Sequence, residues 1–292
     1  MNISGIIPAL VTPFDKNAKV DHGALSELVN RLIEQGAGGF YACGSTAECF
    51  LMTDEERKAT LETVIKTANG RVPVIAHIAN IGTDKSCDLA RHAREVGASA
   101  ISSVPPFYYK FGFNEIAGYY GDIAKAVPDL PLVIYNFPAF SGVEINADNI
   151  KSIIDVSGAQ GLKYTSYNLF EMEKIHRRFP ELTIFNGHDE VYLNAMPAGA
   201  TAAIGSTFNV MLPKFLKLEE LYRAGNMDEA IKKQGEINDI IEAMIKVSVN
   251  GSIKYWLTKS GIPCGDCRKP NIPLTAEQKA FLDTIYDKVI AE

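Results

Sequence analysis

Lys163 lies in the run 158–165, G-A-Q-G-L-K-Y-T, where an ionisable amine ends a short apolar strand instead of sitting on a helix face. A charge in such a place is costly. Burial lowers a lysine pKa from about 10.4 towards about 7 to 8 at tuned sites. The neutral amine that results attacks carbonyl carbons. The alternative is an edge lysine whose stem packs while its head reaches water, and its neighbours must decide between the two.

Strand side chains alternate, so Gly161, Lys163 and Thr165 share one face, and the small Gly161 leaves room in a crowded interior. On the preceding strand, 132–136, Val133 and Tyr135 share a face, and Tyr135 stands at nearly the height of Lys163. Strands lie about 4.8 Å apart, so phenol and amine can converge on one small ligand. A tyrosine hydroxyl donates or accepts the protons that imine formation moves; the other reading of Tyr135 is a core aromatic with its hydroxyl satisfied locally. Gly44-Ser45-Thr46-Ala47-Glu48 offers hydroxyls and successive amides, as a carboxylate cradle or as an ordinary turn. Gly187-His188-Asp189-Glu190 and Gly205-Ser206-Thr207 put paired carboxylates beside hydroxyls. These suit a polyol better than a phosphate, which the carboxylates would repel, although Asp189 and Glu190 also suit a helix N-terminus. An acidic keto-sugar fits such a set.

The elements that must position these residues alternate. Eight β-rich runs (5–11, 39–44, 73–78, 100–104, 132–136, 161–165, 183–186 and 202–206) are separated by helical patterns at 21–35, 54–68, 84–96, 113–126, 146–154 and 168–178. Thr53 with Glu56 is a capping box that starts the second of these helices. Eight parallel strands joined by single helices favour an α/β fold, a closed (β/α)8 TIM barrel, over an open sheet, and 292 residues accommodate it. Its chemistry belongs at the C-terminal ends of the strands, where Lys163 is the lysine that ends one. From Leu212 the pattern is helical only, at 214–223, 227–247, 251–259 and 276–290. We therefore expect a barrel over 1–211 and a helical appendix over 212–292, packed as one unit.

Hydrophobic content of 47% describes a globular chain with a large core, and no stretch approaches the roughly 20 apolar residues of a membrane span. The opening M-N-I-S-G-I-I-P-A-L-V lacks a basic leader, so a cytoplasmic location is expected. A net charge of −6, with no basic block, argues against a nucleic-acid partner. Five cysteines, an odd number, are expected as free thiols, and the lone Cys264-Gly-Asp-Cys267 is read as a loop, because zinc asks for a second ligand pair.

The motifs G-S-T-A-E (44–48), P-P-F-Y-Y (105–109), Y-N-F-P-A-F-S-G (135–142), G-L-K-Y-T-S (161–166), N-G-H-D-E (186–190) and I-G-S-T-F-N (204–209) together resemble one family over most of the chain. It is that of the pyruvate-dependent class I aldolases, the N-acetylneuraminate lyase and dihydrodipicolinate synthase group. The resemblance implies Lys163 as the Schiff-base lysine, Tyr135 as the proton-transferring phenol, and Ser45 and Thr46 as holders of a pyruvyl carboxylate. It also implies that Tyr108 or Tyr109 reaches a neighbouring subunit's site in a homotetramer, and that no metal or cofactor is used. Phe140-Ser141-Gly142 resembles the lyase branch, where the synthase branch usually carries an arginine in place of Phe140. By that match Thr165, Gly187, Asp189, Glu190 and Ser206 would hold the hydroxylated tail of sialic acid. Ala47 replaces the family's common glycine, and Cys49 follows Glu48. A sister aldolase, and a non-catalytic sugar-binding barrel, are the rival expectations.

Overall fold

The computed structural model describes residues 1 and 3–290. Among them, eight parallel strands follow the order β1-β8-β7-β6-β5-β4-β3-β2, with β1 Gly5–Pro8, β2 Phe40–Ala42, β3 Val74–His77, β4 Ala100–Ser103, β5 Leu132–Asn136, β6 Gly161–Tyr164, β7 Thr183–Asn186 and β8 Ala202–Gly205. Leu10 donates to the Tyr41 carbonyl at 3.0 Å and Gly38 to that of Ile6 at 2.9 Å, which closes β1 onto β2 and completes a TIM barrel.

Period-two alternation divides the strand residues into two layers. Ile7, Tyr41, Ile75, Val133, Tyr135, Phe185 and Ile204 fill the lumen, while Ile6, Phe40, Ile101, Ile134, Leu162 and Ile184 pack outward beneath the helices. Gly161 lies in the lumen layer, where an added Cβ would stand 2.7 Å from Met1 Cε and 3.1 Å from Val133 Cγ2. The room it leaves is room the lumen needs.

The barrel helices are α1 His22–Glu34, α2 Asp54–Ala68, α3 Thr83–Glu95, α4 Phe113–Ala126, the single turn α5 Pro138–Ser141, α6 Ile150–Ser157, α7 Leu169–Arg178 and the short α8 Tyr192–Ala195. The Thr53 capping box forms as expected, with Glu56 N donating to Thr53 Oγ1 at 3.2 Å and Thr53 N to Glu56 Oε2 at 3.0 Å. One expectation shifts. The pattern over 146–154 becomes a helix only from Ile150, because the Asn146 and Asn149 side chains take the local amides in an Asx turn.

The C-terminal helices are α9 Phe208–Arg223, α10 Met227–Val247, α11 Val249–Lys259, α12 Ala276–Asp283 and α13 Tyr286–Ile290. α9 begins six residues before the expected 214, with Met211 (φ −128°, ψ 21°) breaking it just ahead of Pro213. The expected helix 276–290 is two helices, parted where Thr284 Oγ1 turns back to the Phe281 carbonyl.

α11 reaches under the barrel mouth. Lys254 Nζ lies 2.5 Å from Glu48 Oε1, and the two side chains are 1% and 3% exposed. The Arg268 amide donates to Glu48 Oε2 at 2.7 Å, and one helical turn before Lys254, Asn250 Nδ2 approaches the Thr46 carbonyl at 3.4 Å. Glu48 itself is left-handed (φ 59°), a strained state for a side-chain-bearing residue that this ion pair helps to hold. Lys254→Met leaves a carboxylate buried without its cation and is expected to cost about 3–5 kcal/mol, whereas the double variant Glu48→Gln/Lys254→Met recovers most of that loss. Urea melts of the three proteins check this, and equal losses in single and double variants would contradict it.

Candidate active site

At the C-terminal mouth, Tyr135 on β5 and Phe185 on β7 flank Lys163 in register. The amine points into the lumen, 4.0 Å from the centroid of the Tyr135 ring and 4.4 Å from that of Tyr41. Lys163 is 5% exposed. Burial pulls its pKa down to about 7, with the negative charge of Asp189 opposing the shift. The edge-lysine alternative therefore fails, since the head is as buried as the stem.

Tyr135 is 3% exposed, and burial pushes its hydroxyl well above the usual phenol range while the Thr165 and Ser45 hydroxyls oppose that shift. Its ring stacks on Phe137 at 5.9 Å and meets His77 edge-on at 6.0 Å. Ser45 and Thr46 sit in a tight turn after β2, in which the amides of Ala47 and Cys49 return to the Gly44 carbonyl. Among the described residues, neither the Ser45 amide nor the Thr46 amide donates a hydrogen bond. A cavity of about 340 Å³ opens beside Ser45, walled by Phe50, Phe107, Phe137 and Phe140.

On the opposite side, Asp189 is 5% exposed, and Thr207 donates to its Oδ2 twice, from N at 2.9 Å and from Oγ1 at 2.7 Å. Burial raises this carboxyl to about 6. Its other oxygen, Oδ1, and the Thr165 Oγ1 are both buried and make no hydrogen bond among the described residues. Such atoms call for a ligand. The backbone is fitted closely around both: a Cβ on Gly205 would stand 1.9 Å from Asp189 Oδ1, and one on Gly187 1.9 Å from Thr165 Oγ1. Glu190 is held at about 2 by the His188 and Tyr167 side chains against the opposing effect of burial. Ser206 is half-buried in the turn after β8.

The chain thus brings together Lys163, Tyr135, Ser45, Thr46, Thr165, Gly187, Asp189, Glu190 and Ser206 at one mouth. Tyr108 and Tyr109 stand apart, 84% and 63% exposed on the loop after β4, edge-to-face with each other at 5.1 Å. Sequence reasoning missed Tyr41, although period-two reading of β2 places it in the lumen. It named Thr207 in the 205–207 run without pairing it to Asp189, and it missed Tyr167, which donates to Glu190 at 2.5 Å. His77 went unnoticed too: it is buried, and desolvation first, then Arg57, keep it well below the usual histidine range. The cysteines are free: Cys264 is buried and Cys267 half-buried in the loop after α11, and among the described residues no cluster of His, Cys, Asp or Glu could hold a metal ion. Among the described residues no helix is long and apolar enough to cross a membrane.

Barrel, appendix and a buried strand-end lysine define a class, the carbon–carbon lyases built on a TIM barrel. The chain belongs to the dihydrodipicolinate synthetase family, whose model matches residues 2–288. It is 36% identical to N-acetylneuraminate lyase of Citrobacter koseri over 100% of this chain and 98% of that one. The structure of a catalytic lysine mutant of Ruminococcus gnavus sialic acid aldolase superposes with a TM-score of 0.95 at 32% identity, covering 98% of this chain and 95% of that chain. Dihydrodipicolinate synthase DapA-2 of Bacillus anthracis superposes with a TM-score of 0.95 at 27% identity, covering 100% of both.

Lys163 also sets a stability cost. Between pH 7 and about 10.4 the unfolded chain keeps a proton that the native lysine has lost, so stability rises with pH across that window, and below it the cost is felt in full. Lys163→Met should therefore raise Tm at pH 7 by about 2–4 °C for each kcal/mol relieved, with a smaller gain at pH 10. Calorimetry at the two pH values checks the order.

Proposed function

We propose that this enzyme reversibly cleaves N-acetylneuraminate to N-acetylmannosamine and pyruvate through a Schiff base on Lys163. One observation carries the reading: an amine with a pKa near 7, buried and without a salt bridge among the described residues, stands between a hydroxyl and amide turn and a rim of polar atoms that find no partner among those residues. Family relatives bearing the lyase name, and a catalytic lysine in the Ruminococcus gnavus enzyme, support it.

In this mechanism the Ser45 and Thr46 turn holds the substrate carboxylate, and Lys163 Nζ attacks the C2 ketone of the open-chain sugar. The carbinolamine loses water to give an iminium. The C4 hydroxyl then loses its proton, the C3–C4 bond breaks, and its electron pair moves through C3 onto the iminium nitrogen. N-acetylmannosamine leaves as the aldehyde; the enamine takes a proton at C3 and is hydrolysed to pyruvate and free lysine. With its pKa raised, Tyr135 rests as the phenol, so it accepts the C4 proton only while passing its own onward, through a neighbouring hydroxyl or the substrate carboxylate. The imine is the electron sink, so the chemistry asks for no diffusible cofactor.

Thr165, Gly187, Asp189, Glu190 and Ser206 hold the polyol tail in this reading. Phe140, 73% exposed and packed on Phe137 at 4.2 Å, stands where the synthase branch would need a cation for a second carboxylate, which favours the lyase over the sister synthase. The exposed Tyr108 and Tyr109 suit a homotetramer in which one of them reaches a neighbour's site. A cytoplasmic enzyme, with 1–211 as barrel and 212–292 as its packed extension, completes the proposal.

Borohydride added with pyruvate should trap a stable adduct on Lys163, located by peptide mass spectrometry, and an adduct on another lysine would sink the mechanism. Sialic acid should release pyruvate far faster than aspartate semialdehyde plus pyruvate is consumed. Because protonated Lys163 cannot attack, kcat/KM should rise about tenfold per pH unit below about 7 and level off above it. A profile that is flat from pH 5 to 8 contradicts the assignment of the amine.

A further inference from the structure

An exposed aromatic side chain is ordinarily free to turn, but Tyr167, in the loop after β6, is tied down at two points. It is 62% exposed, yet its hydroxyl donates to Glu190 Oε1 at 2.5 Å, and its ring lies flat on that of His188, 4.2 Å away with 7° between the planes. The stack continues inward. His188 meets Phe137 edge-on at 6.2 Å, and Phe137 stacks on Tyr135, so a line of rings runs from the outer rim to the reacting phenol.

Glu190 is fixed from both sides. Asn238 Nδ2 on α10 donates to its carbonyl at 3.0 Å, and His188 Nδ1 stands 3.4 Å from the same Oε1 that Tyr167 addresses. Among the described residues no side chain donates to Oε2. A phenol that has given its proton to a carboxylate still carries lone pairs, and these lie at the open edge of the site.

We propose that Tyr167 is a specificity-determining residue for the far end of the substrate's hydroxylated tail: its hydroxyl orients Glu190 and accepts from the outermost sugar hydroxyl, while its ring on His188 walls the rim. This rests on the reading that the rim at Asp189 and Glu190 holds the tail. The geometry makes the site selective for tail length, because a shortened tail leaves the Glu190–Tyr167 pair without its partner.

The test measures pyruvate release by the wild-type enzyme and by Tyr167→Phe and Tyr167→Gly. The substrates are N-acetylneuraminate and its analogue shortened by two tail carbons through periodate cleavage and borohydride reduction. Tyr167→Phe keeps the stacked ring and removes only the hydroxyl. It should lower kcat/KM for the full-length substrate about tenfold, mainly through KM, the scale of one hydrogen bond to a charged or hydroxyl partner. Its kcat/KM for the shortened analogue should stay within about twofold, so the preference for the longer tail collapses. Tyr167→Gly, which also removes the wall, should lose at least as much of that preference. A wild-type enzyme indifferent to tail length, an unchanged ratio in the variants, or equal losses on both substrates overturns the proposal. If the wild type releases pyruvate from neither substrate, the tail-rim reading itself fails, and this inference with it.

Discussion

The desolvation of the barrel lumen is the constraint on which the rest depends. A closed ring of eight strands leaves no room for bulk water among Tyr41, Val133, Tyr135 and Phe185, so any titratable group there is pushed toward its neutral form. The effect acts in one direction on three groups at once. Lys163 falls to about 7, Tyr135 rises well above its ordinary range, and Asp189 rises to about 6. Near neutral pH the site therefore holds a substantial fraction of free amine beside an intact phenol, with Asp189 supplying the charge that keeps the lysine from falling further. A lysine, a tyrosine and an aspartate in water would offer an ammonium, a phenol and a fully ionised carboxylate, and the ammonium has no lone pair with which to attack.

Such neutralisation costs stability, and the fold offsets it outside the lumen. The ion pair of Glu48 with Lys254 and the double donation of Thr207 to Asp189 keep the polar turns after β2 and β8 rigid while apolar packing surrounds them. These supports come from different parts of the chain. The turn that carries Ser45 and Thr46 is held by α11, more than 200 residues further on, so the helical appendix is part of the frame of the site as well as cover for apolar surface. The close approach of Gly187 to Thr165 and of Gly205 to Asp189 follows the same logic: polar atoms are brought together by removing side-chain volume, and two of those atoms make no hydrogen bond among the described residues.

Much of this was legible in the chain. The eight strands, the capping box at Thr53 and the shared height of Tyr135 and Lys163 followed from alternation and spacing, because side-chain direction in a strand is a local property. The start of α6 was misread by four residues, since asparagine side chains at 146 and 149 compete with the helix for backbone amides in a way that a hydrophobic pattern does not record. The start of α9 was misread by six, where one non-helical residue ahead of Pro213 divides what then continues as a helix.

By itself the sequence determined which residues face the lumen, that an amine ends β6, and that hydroxyls and carboxylates follow β2, β7 and β8. Those are consequences of periodicity and of residue chemistry, which need no knowledge of what lies across the barrel. Only the tertiary structure decided that Tyr41 and Tyr135 both cover Lys163, that Lys254 neutralises Glu48, and that Tyr167 reaches Glu190. The physical reason is that burial and pairing depend on groups far apart in the chain. The lysine acquires its low pKa from a ring of strands closing around it, and no stretch of sequence near residue 163 encodes that closure.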